Sequence, residues 1–422
     1  MLPSARSKLP EIPHTRFFPI TGRWSIHSYN SLCPYAPDGS GRIVTAGADL
    51  DRQIAEVLLL SPDGEIMNRF GEVPATPSFW HTGLWQSWSG DGNCVYFQSG
   101  THLEPFATRY NLQTGESLSV AGDLEGIPPS GEPGISGSQS LLYAAGYGDG
   151  KFKPEMAPVP FLERDRHGIN EISFDLSSEK LILSTQQVFD LHPERKRILK
   201  ADAEVRARLG ANEGLTLMTY CVRWNRQGTR FLFYWGNHCV VGSRGEPKIS
   251  YVFTSDRKMQ EIRLAVDLSF GRRGTHWSWQ PDGETLIGYG PRSDGQPGTA
   301  PAEVRYDGTG YRTLCDHTTG RGARHPSVSP ANRDLVVTDE INEKGGAVVF
   351  LSSSQNREVG RVQLPKFIGD KELGGRNPLR VCHHPVFNLT GDRVLVNTLP
   401  GPEAVVAEID VAALLVDFSG VR

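Results

Sequence analysis

Three histidines occupy one place in a repeat. With the Asp-Gly turn, or its equivalent, as a ruler, six residues back from Asp282, Ala331 and Thr390 stand His276, His325 and His384. The same step in the other units reaches Leu32, Trp85 and Cys221. The chain has only 12 histidines in 422 residues, so three matches among six aligned positions argue for a placed group. Convergent imidazoles suit two chemistries. They ligate a divalent transition metal such as zinc, manganese or iron. One of them can also move a proton, because its pKa lies near neutrality. The competing reading is structural, since repeat units also use histidine to hold their own backbone.

A second ring comes from the loops that leave the second strand of each unit. It holds Asp49 and Asp51, His102, Asn237 and His238, Arg292, Asp339 and Glu340, and Asn397. The carboxylates among these read as polar loop residues. His81 precedes the innermost strand of the unit that contains His102, so the two share a blade and a face. Arg223 lies inside an innermost strand, two residues beyond Cys221. His81, His102, Arg223 and His276 are the catalytic candidates; Trp85, Tyr220, His238 and Arg292 are the substrate-binding candidates; His325 and His384 are the metal candidates. His383 and His384 are adjacent, and neighbours on an extended strand face opposite ways, so only one can enter the site. No Gly-x-Ser-x-Gly elbow, phosphate-binding Gly-rich loop or dinucleotide fingerprint is present. Acid–base chemistry, metal chemistry or pure binding remain. A His and Arg mouth suits β-elimination from a uronic acid, whose C5 proton is α to a carboxylate that a cation must neutralise.

The elements that must position these residues come from the repeat. Pro34-Tyr-Ala-Pro-Asp-Gly39, Gln86-Ser-Trp-Ser-Gly-Asp-Gly92, Arg223-Trp-Asn-Arg-Gln-Gly228, Trp277-Ser-Trp-Gln-Pro-Asp-Gly283, Pro326-Ser-Val-Ser-Pro-Ala-Asn332 and Pro385-Val-Phe-Asn-Leu-Thr-Gly391 each lead into an apolar strand. Gly at such turns supplies the positive φ of a tight hairpin. The spacing of about 45–60 residues fits a four-stranded propeller blade. The expected fold is all-β, a seven-bladed β-propeller forming a single domain over 1–422, with blades at roughly 27–72, 81–126, 133–190, 213–268, 275–317, 324–366 and 382–415. The third copy is weak: Leu141-Leu-Tyr-Ala144, Ile172-Ser-Phe174 and Leu181-Ile-Leu183 read as strands around a long insertion. Six blades with 127–212 as a separate insert is the alternative. The seventh blade ends about one strand short, and either Arg16–Ile20 or Arg23–Ile26 supplies its outer strand.

Composition narrows the class. The formal charge of −4 builds no basic footprint for nucleic acid. No apolar run reaches the roughly 20 residues that span a bilayer, and the polar, Pro-rich start of the chain lacks the apolar stretch of a signal peptide. The expectation is a soluble cytoplasmic protein with no nucleic-acid or membrane partner; the sequence assigns no oligomeric state. Six scattered cysteines with no Cys-x-x-Cys pair read as reduced thiols.

Arg324-His-Pro-Ser-Val-Ser-Pro330, Cys382-His-His-Pro-Val-Phe-Asn388, Thr275-His-Trp-Ser-Trp279 and Tyr220-Cys-Val-Arg-Trp224 resemble the blade starts of oligogalacturonate-lyase-like propellers, best over residues 213–415. These motifs overlap those of TolB-like propellers. The resemblance implies a seven-bladed propeller that cleaves short uronate oligosaccharides by β-elimination. It implies a manganese ion held by several His and a Gln, with a His and an Arg serving the chemistry. His276, His325 and His384 match His positions of that pattern, and Arg223 its Arg. The chain departs in the last blade, where the expected Gln and extra His read Leu379, Arg380 and Cys382. The chain is also similar in outline to lyases acting on L-rhamnose-α-1,4-D-glucuronate ends, a family with a pair of His on the propeller face; His81 and His102 fit that pair. The expected cofactor is a divalent metal, manganese or calcium, and the expected partner a uronate-containing oligosaccharide. A non-catalytic TolB-like binding module, a glycosidase and a lactonase are the alternatives. A glycosidase needs two carboxylates roughly 5–10 Å apart, and only the adjacent Asp339 and Glu340 offer themselves.

Overall fold

Turn chemistry sets the repeat. In the Asp282-Gly283 turn, Asp282 Oδ1 accepts the amides of Glu284 and Thr285 at 3.0 and 2.9 Å, and Gly283 takes φ +72°. Gly92 does the same at φ +71° after Asp91, whose carboxylate caps Asn93 N at 3.0 Å. Each turn returns the chain antiparallel, and the apolar strand that follows is buried on both faces.

The computed structural model describes residues 9–49, 51–75, 79–101, 103–129, 131–147, 150–238, 244–315, 325–342, 345–365, 381–400 and 403–420. Among the described residues, seven antiparallel sheets follow in chain order, six four-stranded and one three-stranded, and the fold is a seven-bladed β-propeller. Their innermost strands are Trp24–Ile26, Ser87–Trp88, Gly134–Ser136, Met218–Trp224, Thr275–Trp279, Ser327–Val328 and Val386–Phe387. The chain packs as two compact units. Met1–Gln86 with Thr319–Arg422 carries the first, sixth and seventh sheets, and Ser87–Thr318 carries the second to fifth.

The seventh sheet takes its outer strand from the start of the chain. Thr15–Phe18 pairs antiparallel with Val405–Asp410, Thr15 opposite Ile409 and Phe18 opposite Val406. Of the two segments expected to complete this sheet, the earlier does so. Arg23–Ile26 instead contains the innermost strand of the first sheet, so the first blade starts upstream of the Pro34–Gly39 turn. The third unit is a blade, not an insert: Gly134–Ser136, Gly168–Ser173 and Ser178–Ser184 form its three strands. Leu141–Ala144, read as a strand, lies instead in the helix Gln139–Ala144. Ser138 caps that helix by accepting Leu141 N, and the helix is buried all round, which removes the alternation that would have marked it as amphipathic. Two further helices, Thr185–Leu191 and Arg195–Leu209, join the third blade to the fourth. Ile198, Ala201 and Val205 of the longer one pack into the apolar cluster that contains Phe231, Phe233 and Trp235.

The blade-start position of the repeat is a backbone feature as well as a sequence one. Trp85, Cys221, His276 and His384 have φ of +54°, +53°, +56° and +46°. Cys221 and His276 sit in β-bulges, between Tyr220 and Arg223 and between Thr275 and Ser278. Left-handed backbone at a non-glycine residue costs roughly 1–2 kcal/mol, so four repeats spend that energy to aim a side chain off its strand. Among the described residues, no helix is long and apolar enough to cross a membrane.

Candidate functional site

The loops of the unit formed by Met1–Gln86 and Thr319–Arg422 bring four imidazoles together. His81 lies in the last turn of the short helix Phe79–Thr82. The loop behind it is pinned by Gln86, whose Oε1 accepts Leu84 N at 2.9 Å and whose Nε2 donates to Ile26 O at 3.0 Å. Tyr29 follows the innermost strand of the first sheet, and next to it Asn30 Nδ2 donates to Pro326 O at 3.0 Å. That bond ties Tyr29 to the segment that carries His325. His384 leads into Val386–Phe387 in the left-handed conformation described above.

The rings pack closely. His384 lies 4.2 Å from His325 and 4.7 Å from His81, centroid to centroid, and His81 lies 6.1 Å from His325. Tyr29 stands among them, 4.6 Å from His384, 5.4 Å from His325 and 5.8 Å from His81. Trp85 lies 6.1 Å from Tyr29 and His27 lies 6.5 Å from His384. The ligand atoms of His81, Cys382 and His384 all fall within 4.8 Å of one another.

His325 is held by a carboxylate. Its Nδ1 is 3.1 and 3.0 Å from the two oxygens of Asp339, and its backbone N–H donates to Asp339 Oδ1 at 2.7 Å. Both side chains are fully buried. A carboxylate against Nδ1 fixes the tautomer with the proton on Nδ1 and leaves the lone pair on Nε2, the arrangement found behind both catalytic and metal-ligating imidazoles.

Asn397 organises the other side. Its Oδ1 accepts His27 N at 2.8 Å, and its Nδ2 donates to the carbonyls of His27 and Cys382, each at 3.3 Å. His383 turns away from the cluster: its Nδ1 donates to Asn397 O at 2.7 Å. A Cβ on Gly346 would come within 1.9 Å of His383 Nε2, so glycine is required there. The adjacent pair thus divides its labour, with His384 in the cluster and His383 in its frame; the left-handed turn of the backbone at His384, ahead of the strand, separates them.

Burial pushes His27 down to about 4, against weaker raising contributions from the backbone of His383 and His384. Burial also lowers His383, opposed by the Asp339 charge and the bond to Asn397. Both are neutral in the folded protein near pH 7, while the unfolded chain protonates at about 6.5. The unfolded state therefore binds more protons between pH 6.5 and 4. The stability from these groups is complete above about pH 6.5 and is lost as pH falls, on the order of 3 kcal/mol for His27. Denaturant melts from pH 7 to 4.5 should show this decline, and His27→Gln should flatten it; equal slopes for the two proteins would contradict the assignment.

The remaining candidates distribute as follows. His102, Leu379 and Arg380 lie outside the described residues. Arg223, Tyr220, His238, His276 and Arg292 belong to the Ser87–Thr318 unit. Arg223 is 4% exposed and donates through Nη1 to Trp277 O at 2.7 Å; burial raises the nearby Glu125 carboxyl, opposed by the bond from Val222 N and by the Arg223 charge. Tyr220 stacks on Tyr234 and His238, at 5.4 and 5.0 Å. Burial first, then Lys248, lowers His238 to about 4. Arg292 Nε donates to Asp294 Oδ1 at 3.0 Å.

Tyr29, Cys382 as a donor and Asp339 join the site from outside the repeat count; Asp339, expected as a polar loop residue, is the partner of His325. Tyr29 was hidden by the displaced start of the first blade. The Asp339 signal was present, because His325 and Asp339 are 14 residues apart across one hairpin, as are His383 and Asn397.

No family model matches this chain, and no curated protein does. Solved structures do. An oligogalacturonate lyase from Vibrio parahaemolyticus matches at 15% identity over 94% of this chain and 93% of that one, with a TM-score of 0.59. An oligogalacturonate lyase in complex with manganese matches at 12% identity over 96% and 95%, with a TM-score of 0.62. A prolyl endopeptidase matches at 11% identity over 94% of this chain and 49% of that one, with a TM-score of 0.53. At these identities the likeness is one of fold: this chain is a seven-bladed β-propeller, similar in fold to the oligogalacturonate lyases.

Proposed function

We propose that this chain is a carbon–oxygen lyase that cleaves a uronic-acid-containing oligosaccharide by β-elimination. The observation that carries this reading is the convergence of His81, His325 and His384 around Tyr29, with His325 oriented by Asp339. The fold shared with two oligogalacturonate lyases supports it.

The donor set fits a divalent ion, since three ligand atoms already lie within 4.8 Å of one another and two belong to buried residues. His81, Cys382 and His384 would hold it. When bound, such an ion supplies positive charge to the carboxylate of the uronate and so lowers the cost of negative charge developing at C5. The protein's own groups do the rest. His325, with Nδ1–H given to Asp339, accepts the C5 proton at Nε2. The C5–H electron pair becomes the C4=C5 double bond as the C4–O bond breaks. The Tyr29 phenol donates the proton that the leaving oxygen needs. Trp85, beside Tyr29, offers an apolar face for a sugar ring. Taken by itself, the Ser87–Thr318 unit offers a stacked pair, Tyr220 and His238, proposed to bind a sugar, and His276, Arg223 and Arg292, proposed to bind a uronate carboxylate. No water is consumed, and the products are a 4,5-unsaturated uronate and a new hydroxyl end.

The test is near-ultraviolet absorbance of the unsaturated uronate while the purified protein acts on a panel of oligogalacturonate and rhamnose-capped glucuronate substrates. A rising signal on either class is expected, and chelator should suppress it. A flat trace across the panel would overturn the lyase reading in favour of a binding module.

A further inference from the structure

Cys382 stands where its chemistry changes which ion the site takes. Its sulfur lies within 4.8 Å of ligand nitrogens on both His81 and His384, and it is 3% exposed. Its carbonyl is held by Asn397 Nδ2, which fixes the segment that presents it. Asp339 is engaged by His325, accepting its backbone and ring N–H groups. Among the described residues, the donors that converge are one sulfur and two imidazole nitrogens.

Manganese and calcium favour oxygen donors, and manganese stands lowest among the first-row divalent metals in affinity for a given site. A thiolate with two imidazoles is a borderline-to-soft set that suits zinc. In a zinc site the sulfur lies about 2.3 Å and the nitrogens about 2.0–2.1 Å from the ion. Ligand atoms then sit roughly 3.3–3.6 Å from one another, which small side-chain rotations reach from the spacing seen here. Three protein ligands are also how zinc sites that admit substrate or water are built.

We infer that Cys382 is a thiolate ligand and that the ion of this site is zinc, not manganese or calcium. This rests on the reading, made above, that the cluster holds a divalent ion. On ligation the thiol loses its proton to solvent, and no oxidant or reductant is involved.

Elemental analysis tests it on the full chain, purified after exposure to equimolar zinc and manganese. About one zinc per chain is expected, with manganese below about a tenth of that, as the stability order of the divalent metals predicts. Cobalt(II) titration of the wild-type chain should give a thiolate-to-cobalt charge-transfer band in the near ultraviolet. Cys382→Ser should abolish that band while retaining the wild-type circular dichroism spectrum. It should also weaken zinc binding by more than about 100-fold, beyond the cost of losing an outer-shell partner. The wild-type band does not depend on the variant folding. Preferential retention of manganese, cobalt binding without a thiolate band, or no retained ion would each overturn the inference. Zinc and the thiolate band without lyase activity on any uronate would leave it standing and remove the lyase proposal. Cleavage supported by manganese without the band would do the reverse.

Discussion

His384→Ala is expected to lower kcat/KM on the cleaved uronate by more than about 1,000-fold, or roughly 4 kcal/mol of transition-state stabilisation. The imidazole is the hub of the cluster, 4.2 Å from His325, 4.7 Å from His81 and 4.6 Å from Tyr29. Removing it takes one donor from the ligand set and leaves a gap between the other three rings. Fold and chemistry separate in a second variant. His384 has φ +46°, which glycine adopts without strain. His384→Gly should therefore be as inactive as the alanine variant but no less stable than it. Activity within tenfold of wild type in either variant would remove His384 from the site.

Asp339→Asn is expected to cost up to about 10,000-fold in kcat with little change in KM, the loss found when the carboxylate behind a catalytic histidine is replaced by its amide. The carboxylate accepts both the ring Nδ1–H and the backbone N–H of His325 in a fully buried pair. An asparagine keeps the size but offers an N–H to Nδ1. The ring then carries its proton on Nε2 and cannot accept another there. A buried amide in place of a buried carboxylate also removes the charge that stabilises protonated His325 during turnover. Single-turnover absorbance traces would show the loss in the chemical step. An unchanged chemical rate, with only a lower melting temperature, would make Asp339 a structural partner.

Much of this arrangement was legible in the chain because the propeller repeats its turns. The Asp282-Gly283 and Asp91-Gly92 turns fix where each hairpin reverses, so counting back from them found His276, His325 and His384 at equivalent places. The backbone agrees: His276 and His384 share a left-handed φ with Trp85 and Cys221. What the count could not give was depth across a hairpin. Asp339 carries no local mark that separates it from Asp49, yet Asp49 pairs with Arg23 at 3.0 Å while Asp339 reaches His325. Tyr29 escaped because Trp24–Ile26, three residues long, is too short to show alternation. The helix Gln139–Ala144 reads as a strand in sequence because a fully buried segment of that length has no periodic signature. Cys382 was seen only as a departure from a His, although in the folded chain its sulfur reaches two imidazoles.

The central claim is that the glycosidic oxygen leaves by elimination. Mass spectrometry of the products formed in H₂¹⁸O tests it most directly. Elimination predicts two fragments whose masses add up to that of the substrate, one carrying the C4=C5 double bond and neither carrying ¹⁸O at the cleaved bond. Fragments heavier in total by one water, with ¹⁸O at the new end, would show hydrolysis and contradict the account.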